Sequence, residues 1–405
     1  MTPAHGQISA LVTLISDATK IVESYYEKSS KPYIPSLDDI EPHPFDNEIL
    51  GKELRNAIQT IEGACAQLSA TVARPSHTTV NRLMGVFESS CLNVAVRFKI
   101  SDVLKEKREG MHISEIGQKA GVEERKIGRV LRCLSSKHYF REVSKNVFAN
   151  NRLSIQLLSS NPLSSLAFHF TDEGMKSSAF LSETLADPEW GHSYAAYHSA
   201  FNKYTKYPGP LFMYYENTVQ GLMLITMQLA KAYPSLKLVL QDLPKRIQQA
   251  KNEIWPKECP QAIQENRIRF EPIDFFNQPP VDYCTIYYLK NIIHDWPDAD
   301  CIKILSQVKS AMGPHSRVLI QEYILQHANR VPNDQSEFEQ APEPLLPNYG
   351  AGRIRQYNLD IDMITMLNSE ERTGGEFIRL GEAAGLKFTK VWDIGELGLV
   401  EFSLP

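Results

Sequence analysis

A chain of 405 residues, 42% hydrophobic and 22% charged, holds material for two or three domains with packed cores. Its formal net charge of −5 argues against the basic field that binding a phosphate backbone requires, so nucleic acid is not an expected partner. Six cysteines, Cys65, Cys91, Cys133, Cys259, Cys284 and Cys301, lack CxxC or CxxxC spacing, which predicts reduced thiols of a cytoplasmic protein and no metal site. Near the start, Asp17, Glu23 and Glu27 interrupt the apolar positions, a pattern for a helix and not for a signal peptide. No stretch is long and apolar enough to predict a membrane span.

In chain order, residues 7 to 27 and 45 to 72 space apolar side chains three and four apart, predicting two helices around the Pro-rich break KPYIPSLDDIEPHP. RLMGVFESSCLNVAVRFKISDVLKE predicts two more, with Ser101 capping the second. Residues 85 to 155 then carry the cadence of a winged helix. Ser114 caps ISEIGQKAG, Gly121 ends it, VEERKIGRVLRCLSSKH forms the next helix, and YFREVSKNVFANN is a two-stranded wing. If that helix read DNA, Arg125, Lys126, Arg129 and Arg132 would contact phosphates, but Glu123, Glu124 and the acidic whole weigh against it.

The rhythm changes at about residue 205, so the expected division is 1–205, helical with a winged helix, and 206–405, alternating strand and helix. LKLVLQDLP, NRIRFEPIDFF, DYCTIYYLKNIIHDW and SRVLIQEYIL read as strands, DADCIKILSQVKSAMG as a helix closed by Gly313, and the last 34 residues as a helix and an antiparallel hairpin. This alternation predicts an α/β fold with a doubly wound, mostly parallel sheet whose ligand lies at the carboxyl ends of the strands. Asp242, Asp274, Lys290 and His294 all fall at such ends.

LVLQDLP, RFEPIDFF, YYLKNIIHDWPDADC, VLIQEYIL and DMITMLNSEERTGGEF, in this order and spacing, resemble the plant and fungal S-adenosylmethionine-dependent O-methyltransferases of the caffeic-acid type. ACAQLSATVARPSHT and FANNRLS are similar to segments of fungal members from natural-product clusters. The resemblance covers nearly the whole chain. It implies a Rossmann-like methyltransferase domain behind an N-terminal dimerisation domain whose winged helix does not touch DNA, and hence a homodimer. It also implies a cation-independent transfer of methyl from S-adenosylmethionine to a phenolic or carboxylic hydroxyl of a small natural-product intermediate. By position, Asp242 matches the acid on the cofactor ribose, Leu243 packs on adenine, Asp274 and Phe275 hold and cover it, and Lys290 stands at its rim. His294 matches the general base, and Glu322 and Glu371 the acids that flank and orient it. Capping of the following turns is the plainer reading of Asp242 and Asp274.

One stretch departs from the family. Relatives carry a strand ending in a DxGxGxG loop, where glycines let the backbone approach the methionine half of the cofactor. Here FMYYENTVQGLMLITMQLAKAYP keeps only Gly221, with Asn217 near the place of the acid and Leu222, Met223 and Leu224 at small-residue positions. Several dozen residues of the family, including the first strand of the sheet, are missing between PLFMYYEN and this stretch. Residues 211 to 233 read as one amphipathic helix, leaving the sheet without its central strand. Three readings stay open: a methyltransferase whose working form contains the segment, a relative that performs a cofactor-independent, pericyclase-like reaction, or an inactive dimer partner of an intact paralogue.

LQHANRVPNDQSEFEQAPEPLLPNYGAGRIRQ is long, polar and without apolar period, so residues 326–352 read as a substrate lid or, more plainly, a mobile surface insertion. Phe201, Phe212, Met363, Met366 and Asn368 would make a pocket for a phenol or polyketide, though the same types build ordinary cores.

Overall fold

The computed structural model describes residues 4–215, 224–332, 336 and 338–405. The chain divides into two units, Met1–Asp187 with Lys203–Lys206 and Gln326–Asn358, and Pro188–Asn202 with Tyr207–Leu325 and Leu359–Pro405.

In the first unit, α1 (Ala4–Glu27) packs on α2 (Lys52–Val72). The helix expected from residue 45 starts later. A single turn at Pro44–Asp46 is closed by a capping box between His43 and Asp46, and α2 begins only after Gly51. After α3 (Pro75–Leu83) come α4 (Val86–Arg97), α5 (Ile100–Val103), β1 (Met111–His112), α6 (Ile113–Ala120), α7 (Glu124–Ser135), β2 (Arg141–Ser144) and β3 (Val147–Ala149). The strands pair in the order β1-β3-β2 and, with α6 and α7, form the winged helix around buried Ile100, Ile113, Ile116, Ile127, Leu131, Leu134 and Phe148. Gly121 ends α6 at φ 69°, a conformation that favours glycine. The expected serine caps are corrected. His112 caps α6 by accepting from the Ser114 amide, and Ser101 lies inside α5, donating to the Ser154 carbonyl at 2.8 Å from a fully buried position.

The polar stretch after residue 325 is neither bare nor loosely attached where it is described, which corrects the mobile-insertion reading. Ala341, Leu345 and Tyr349 form one apolar cluster with Leu11 of α1 and Ala64 of α2. Gln67 donates to the Pro344 carbonyl at 2.8 Å, and Arg353 donates to Gln59 at 3.0 Å. A Cβ at Gly63 would stand 2.4 Å from the Tyr349 carbonyl oxygen and one at Gly352 would stand 2.2 Å from that of Gln59, so backbone meets backbone at both places.

The second unit holds eight strands among the described residues. β4 (Leu238–Asp242) runs parallel to β5 (Ile268–Pro272), and β6 (Ile286–Lys290) parallel to β7 (Arg317–Glu322). Short β8 (Ile324–Leu325) and β9 (Arg372–Thr373) pair with each other, and the hairpin of β10 (Lys387–Asp393) and β11 (Gly398–Ser403) lies antiparallel on β7. Between β6 and β7, helix Asp298–Ala311 buries Cys301, Ile304, Leu305, Val308 and Ala311, the spacing that marks an apolar helix face. Among the described residues the sheet is in two pieces, β4-β5 and β10-β11-β7-β6. Helices occupy Leu211–Tyr215 and Leu224–Ala232; whether they form the single helix expected over 211 to 233 turns on residues 216–223, which lie outside the described residues, as do Asn217, Gly221, Leu222 and Met223.

Candidate active site

Past β6 the chain turns through Asn291, at φ 51°, into a single helical turn, Ile293–Asp295, before helix Asp298–Ala311. So short a turn has no stability of its own, and neighbouring side chains hold it. The Ile292 and Ile293 amides donate to Glu322 Oε1, at the end of β7, at 3.0 and 2.6 Å. Arg372, 1% exposed, donates to the Ile293 carbonyl at 3.0 Å, to the Trp296 carbonyl at 2.8 Å and to Asp298 Oδ1 at 2.9 Å. The Cys301 thiol, pushed up to about 12 by burial, stays protonated and donates to the same two carbonyls.

This clamp presents His294. Its Nδ1 lies 2.7 Å from Glu371 Oε1, and its Nε2 lies 3.4 Å from Asp295 Oδ1. His294, Glu322 and Glu371 are 7%, 1% and 3% exposed, so the charges act on one another with little water between them. Burial alone would lower the imidazole pKa. The Glu371 hydrogen bond and the charges of Asp295, Glu322 and Glu371 outweigh it and raise the value to about 9. Burial also pushes Asp295 up to about 7, against the pull of His294, and pushes Glu322 upward. One oxygen each of Glu322 and Glu371 is buried without a hydrogen-bond partner among the described residues. Donor atoms of His294, Glu322 and Glu371 fall within 4.8 Å of one another, as a cation site would need. The 2.7 Å Nδ1 to Oε1 contact is the length of a shared proton, which accounts for the pair without an ion.

Two expectations change here. Glu371 alone bonds the imidazole, whereas Glu322 steadies the backbone beneath it. Asp295 and Arg372 were not read from the sequence as site residues, although each is adjacent to one that was.

The residues expected around the cofactor gather at two sheet ends. Asp242 and Leu243 close β4, and Asp274 and Phe275 follow β5. Burial raises the Asp242 carboxyl despite the 2.7 Å donation from the Leu243 amide. Asp274 accepts from the Phe276 amide at 3.1 Å and from Asn277 at 2.8 Å, so it caps its own turn. Leu243 is 49% exposed, open to a flat ring. Lys290 closes β6, where burial lowers its pKa. These groups suit an adenosine half. For the methionine half, residues 211–233 contain the single glycine Gly221, and no glycine loop lies beside these groups among the described residues.

Of the expected substrate residues, Phe201, at 0% exposure, and Met363 pack in a core with Leu211, Met366 and Leu367, which corrects their assignment to a pocket wall. Asn368 is likewise structural, donating to the Ser193 and Ala195 carbonyls at 2.8 and 3.1 Å from a left-handed conformation. Phe212 is part-exposed and faces Trp296 at 6.0 Å, beside the His294 turn.

Comparison with known proteins adds two domain matches, an O-methyltransferase dimerisation domain at residues 80–160 and an O-methyltransferase domain at residues 221–387. A 3-O-methyltransferase of Phanerochaete chrysosporium is 42% identical, covering 99% of this chain and 98% of its own. The O-methyltransferase tpcA of Aspergillus fumigatus is 30% identical over 98% and 96%. Among solved structures, OxaC in complex with sinefungin and meleagrin aligns over 98% of this chain and 99% of its own, with a TM-score of 0.69 at 19% identity. A pericyclic reaction enzyme aligns over 98% and 100% with a TM-score of 0.65 at 16% identity. The alignment to the Phanerochaete relative runs over 446 positions although this chain has 405 residues, so that relative carries a few dozen residues without counterpart here.

Proposed function

The chain belongs to the S-adenosylmethionine-dependent O-methyltransferases, and on that premise we propose that His294 takes the proton from a hydroxyl of a small natural-product intermediate as its oxygen is methylated. The 2.7 Å contact between Glu371 Oε1 and His294 Nδ1 carries this reading: it holds a proton on Nδ1 and leaves Nε2 to receive one. A base of pKa about 9 is matched to a phenol, whose own value is about 10, so transfer is nearly thermoneutral. A carboxylic acid arrives ionised at neutral pH and needs no base. A phenolic hydroxyl is therefore favoured over a carboxylic one.

In this family S-adenosylmethionine supplies the methyl group. Asp242, Leu243, Asp274, Phe275 and Lys290 would hold its adenosine half. Without a glycine cradle, the 405-residue chain holds the donor weakly, and the form that turns over contains the missing segment. The divided sheet supports a second reading, in which this chain binds or rearranges a small molecule without methylating it.

A homodimer is supported by the dimerisation-domain match and by exposed Val80, Leu83, Met84, Val86 and Phe87 on and between α3 and α4, an apolar face that a second copy would cover. A dimer mass in light scattering is the expected result, and a monomer would count against it. No helix among the described residues is long and apolar enough to cross a membrane, and the unpaired cysteines fit a cytoplasmic setting.

The deciding experiment restores the segment from the genomic reading frame and follows methyl transfer to phenolic acceptors. His294→Ala should lower turnover by roughly two to four powers of ten. Unchanged turnover would remove His294 from the role of base. Conversion of an intermediate by the unrestored chain without any donor would establish the second reading instead.

A further inference from the structure

Two cysteines of the first unit face each other across a pair of helices. Cys91 lies on α4, half-buried against the apolar centre of the winged helix, and Cys133 lies exposed on α7. An ion pair one turn away fixes how the two helices are aligned. Glu88 Oε2 stands 3.2 Å from Lys137 Nζ. Lys137 sits in the hydrogen-bonded turn that follows α7, its amide donating to the Leu134 carbonyl at 2.9 Å. Residues three and four apart share a helix face, so Glu88 and Cys91 point the same way from α4, and Cys133 and Lys137 point the same way from α7. One turn onward from the ion pair Cys91 meets Cys133, and one thiol hydrogen-bonds the other.

The two sulfurs differ in access. Burial, and then the neighbouring Cys133 sulfur, push the Cys91 thiol up to about 11, so it stays protonated at neutral pH and does not itself attack a dissolved reagent. Cys133 is open to solvent. An exposed thiol that reacts first, beside a sheltered one that resolves the product, is the arrangement reversible thiol oxidation requires. The other four cysteines stand elsewhere: Cys65 exposed on α2, Cys259 and Cys301 buried, and Cys284 half-buried ahead of β6.

We propose that Cys91 and Cys133 form a site of reversible oxidation, at which a small peroxide converts the two thiols into an intrachain disulfide between α4 and α7. The Cys133 thiolate attacks one peroxide oxygen; an S–O bond forms, the O–O bond breaks, and the departing hydroxide takes a proton and leaves as water. The Cys91 sulfur then attacks the Cys133 sulfur; the S–S bond forms, the S–O bond breaks, and the Cys91 proton leaves with the hydroxyl as a second water. Two thiols are oxidised and one peroxide is reduced. The bond fastens α4 to α7 within the segment matched as a dimerisation domain, beside exposed Val86 and Phe87. It uses neither His294 nor the residues expected around the donor, so it stands or falls apart from the methyl-transfer reading.

The test treats the reduced 405-residue protein with hydrogen peroxide, blocks the remaining thiols with N-ethylmaleimide and maps the cysteines by mass spectrometry of an unreduced digest. The expected product is a cross-linked peptide pair containing Cys91 and Cys133, lighter than the reduced pair by two hydrogens and released by dithiothreitol. Cys65 is the internal control: Cys133 should lose its reactivity toward N-ethylmaleimide at least about tenfold faster. Cys91→Ser should stop the reaction at Cys133, where dimedone traps the sulfenic acid, and Cys133→Ser should leave Cys91 a thiol. Each variant exchanges one atom, and circular dichroism checks that it folds. Absence of the cross-linked pair from the wild-type protein, a bond joining Cys133 to its copy in a second chain, or oxidation of Cys65 at the same rate would each overturn the proposal.

Discussion

The turn that carries His294 and the two-stranded sheet that carries Asp242 belong to one unit of the chain, and they differ in how completely their neighbours hold them. The turn is fastened from four directions: Glu322 on its amides, Arg372 and Cys301 on its carbonyls, and Glu371 on the imidazole itself. Among the described residues β4 pairs with β5 alone, and Leu243 beyond its end is half-exposed. Proton chemistry needs groups held in a fixed geometry, and the imidazole is held 2.7 Å from Glu371. Holding a large donor calls for a continuous sheet end and a glycine loop, and among the described residues the sheet is in two pieces. The two halves of a transfer site can thus differ in how firmly the described residues hold them, the base side being the more completely fastened.

The largest effect that would break this contrast is in donor affinity. Calorimetry with S-adenosylmethionine should show the 405-residue chain weaker than the segment-restored chain by on the order of a hundredfold or more, since each lost charge-assisted hydrogen bond is worth about 1.5 to 3 kcal/mol. Equal affinities would mean that the cradle is supplied in some other way.

The pH profile sharpens the base side. With a pKa of about 9, His294 is mostly protonated at neutral pH, so restored-chain turnover should rise by about tenfold per pH unit above neutrality and level off near 9. The stability linkage carries a matching sign. The imidazole value is raised above its ordinary 6.5, so its contribution is fully present below about 6.5 and is lost as pH climbs through about 9. Asp295, raised from 3.8 to about 7, favours its protonated form in the folded state, so its stabilising effect is lost as pH rises from about 4 to 7. Melting temperature should therefore fall from pH 6.5 to 9, and His294→Gln should flatten that fall. A wild-type curve flat over this range would contradict the placement of three acids around the ring.

The smallest effect concerns the clamp. Arg372→Met strips donors from two buried carbonyls and should destabilise the fold by about 3 kcal/mol, read as a melting temperature lower by several degrees. A positioning role predicts more than that: in Arg372→Lys, which keeps the charge, the turnover pH midpoint should shift even if stability recovers. Recovery of stability with an unchanged pH profile would make Arg372 a structural residue only.

Much of this was legible from the chain alone. LVLQD, IRFEP, IYYLK and RVLIQE became strands because apolar β-branched and aromatic runs bounded by turns have few other uses. The distant partnership of His294 and Glu371 rested on the family resemblance and not on periodicity. Less legible were the directions of side chains. Nothing in the spacing of Glu322 says that its carboxylate takes two amides instead of the imidazole, and Phe201 and Met363 carry the same residue types whether they line a pocket or fill a core. The stretch after residue 325 was misread because its few apolar anchors, Ala341, Leu345 and Tyr349, are scattered among Pro, Asn and Gln and show no period.

Those anchors have a consequence for anyone exchanging parts between relatives. Gly63 and Gly352 admit backbone oxygens from opposite sides of one seam, and Arg353 bonds Gln59 across it from 294 positions away in sequence. A chimaera that imports a foreign amino-terminal helix pair but keeps the native segment 341–353 would set a new surface against an old one at the place with least tolerance for an added methyl group. The two pieces form one inheritable cassette, and swaps between relatives should move them together.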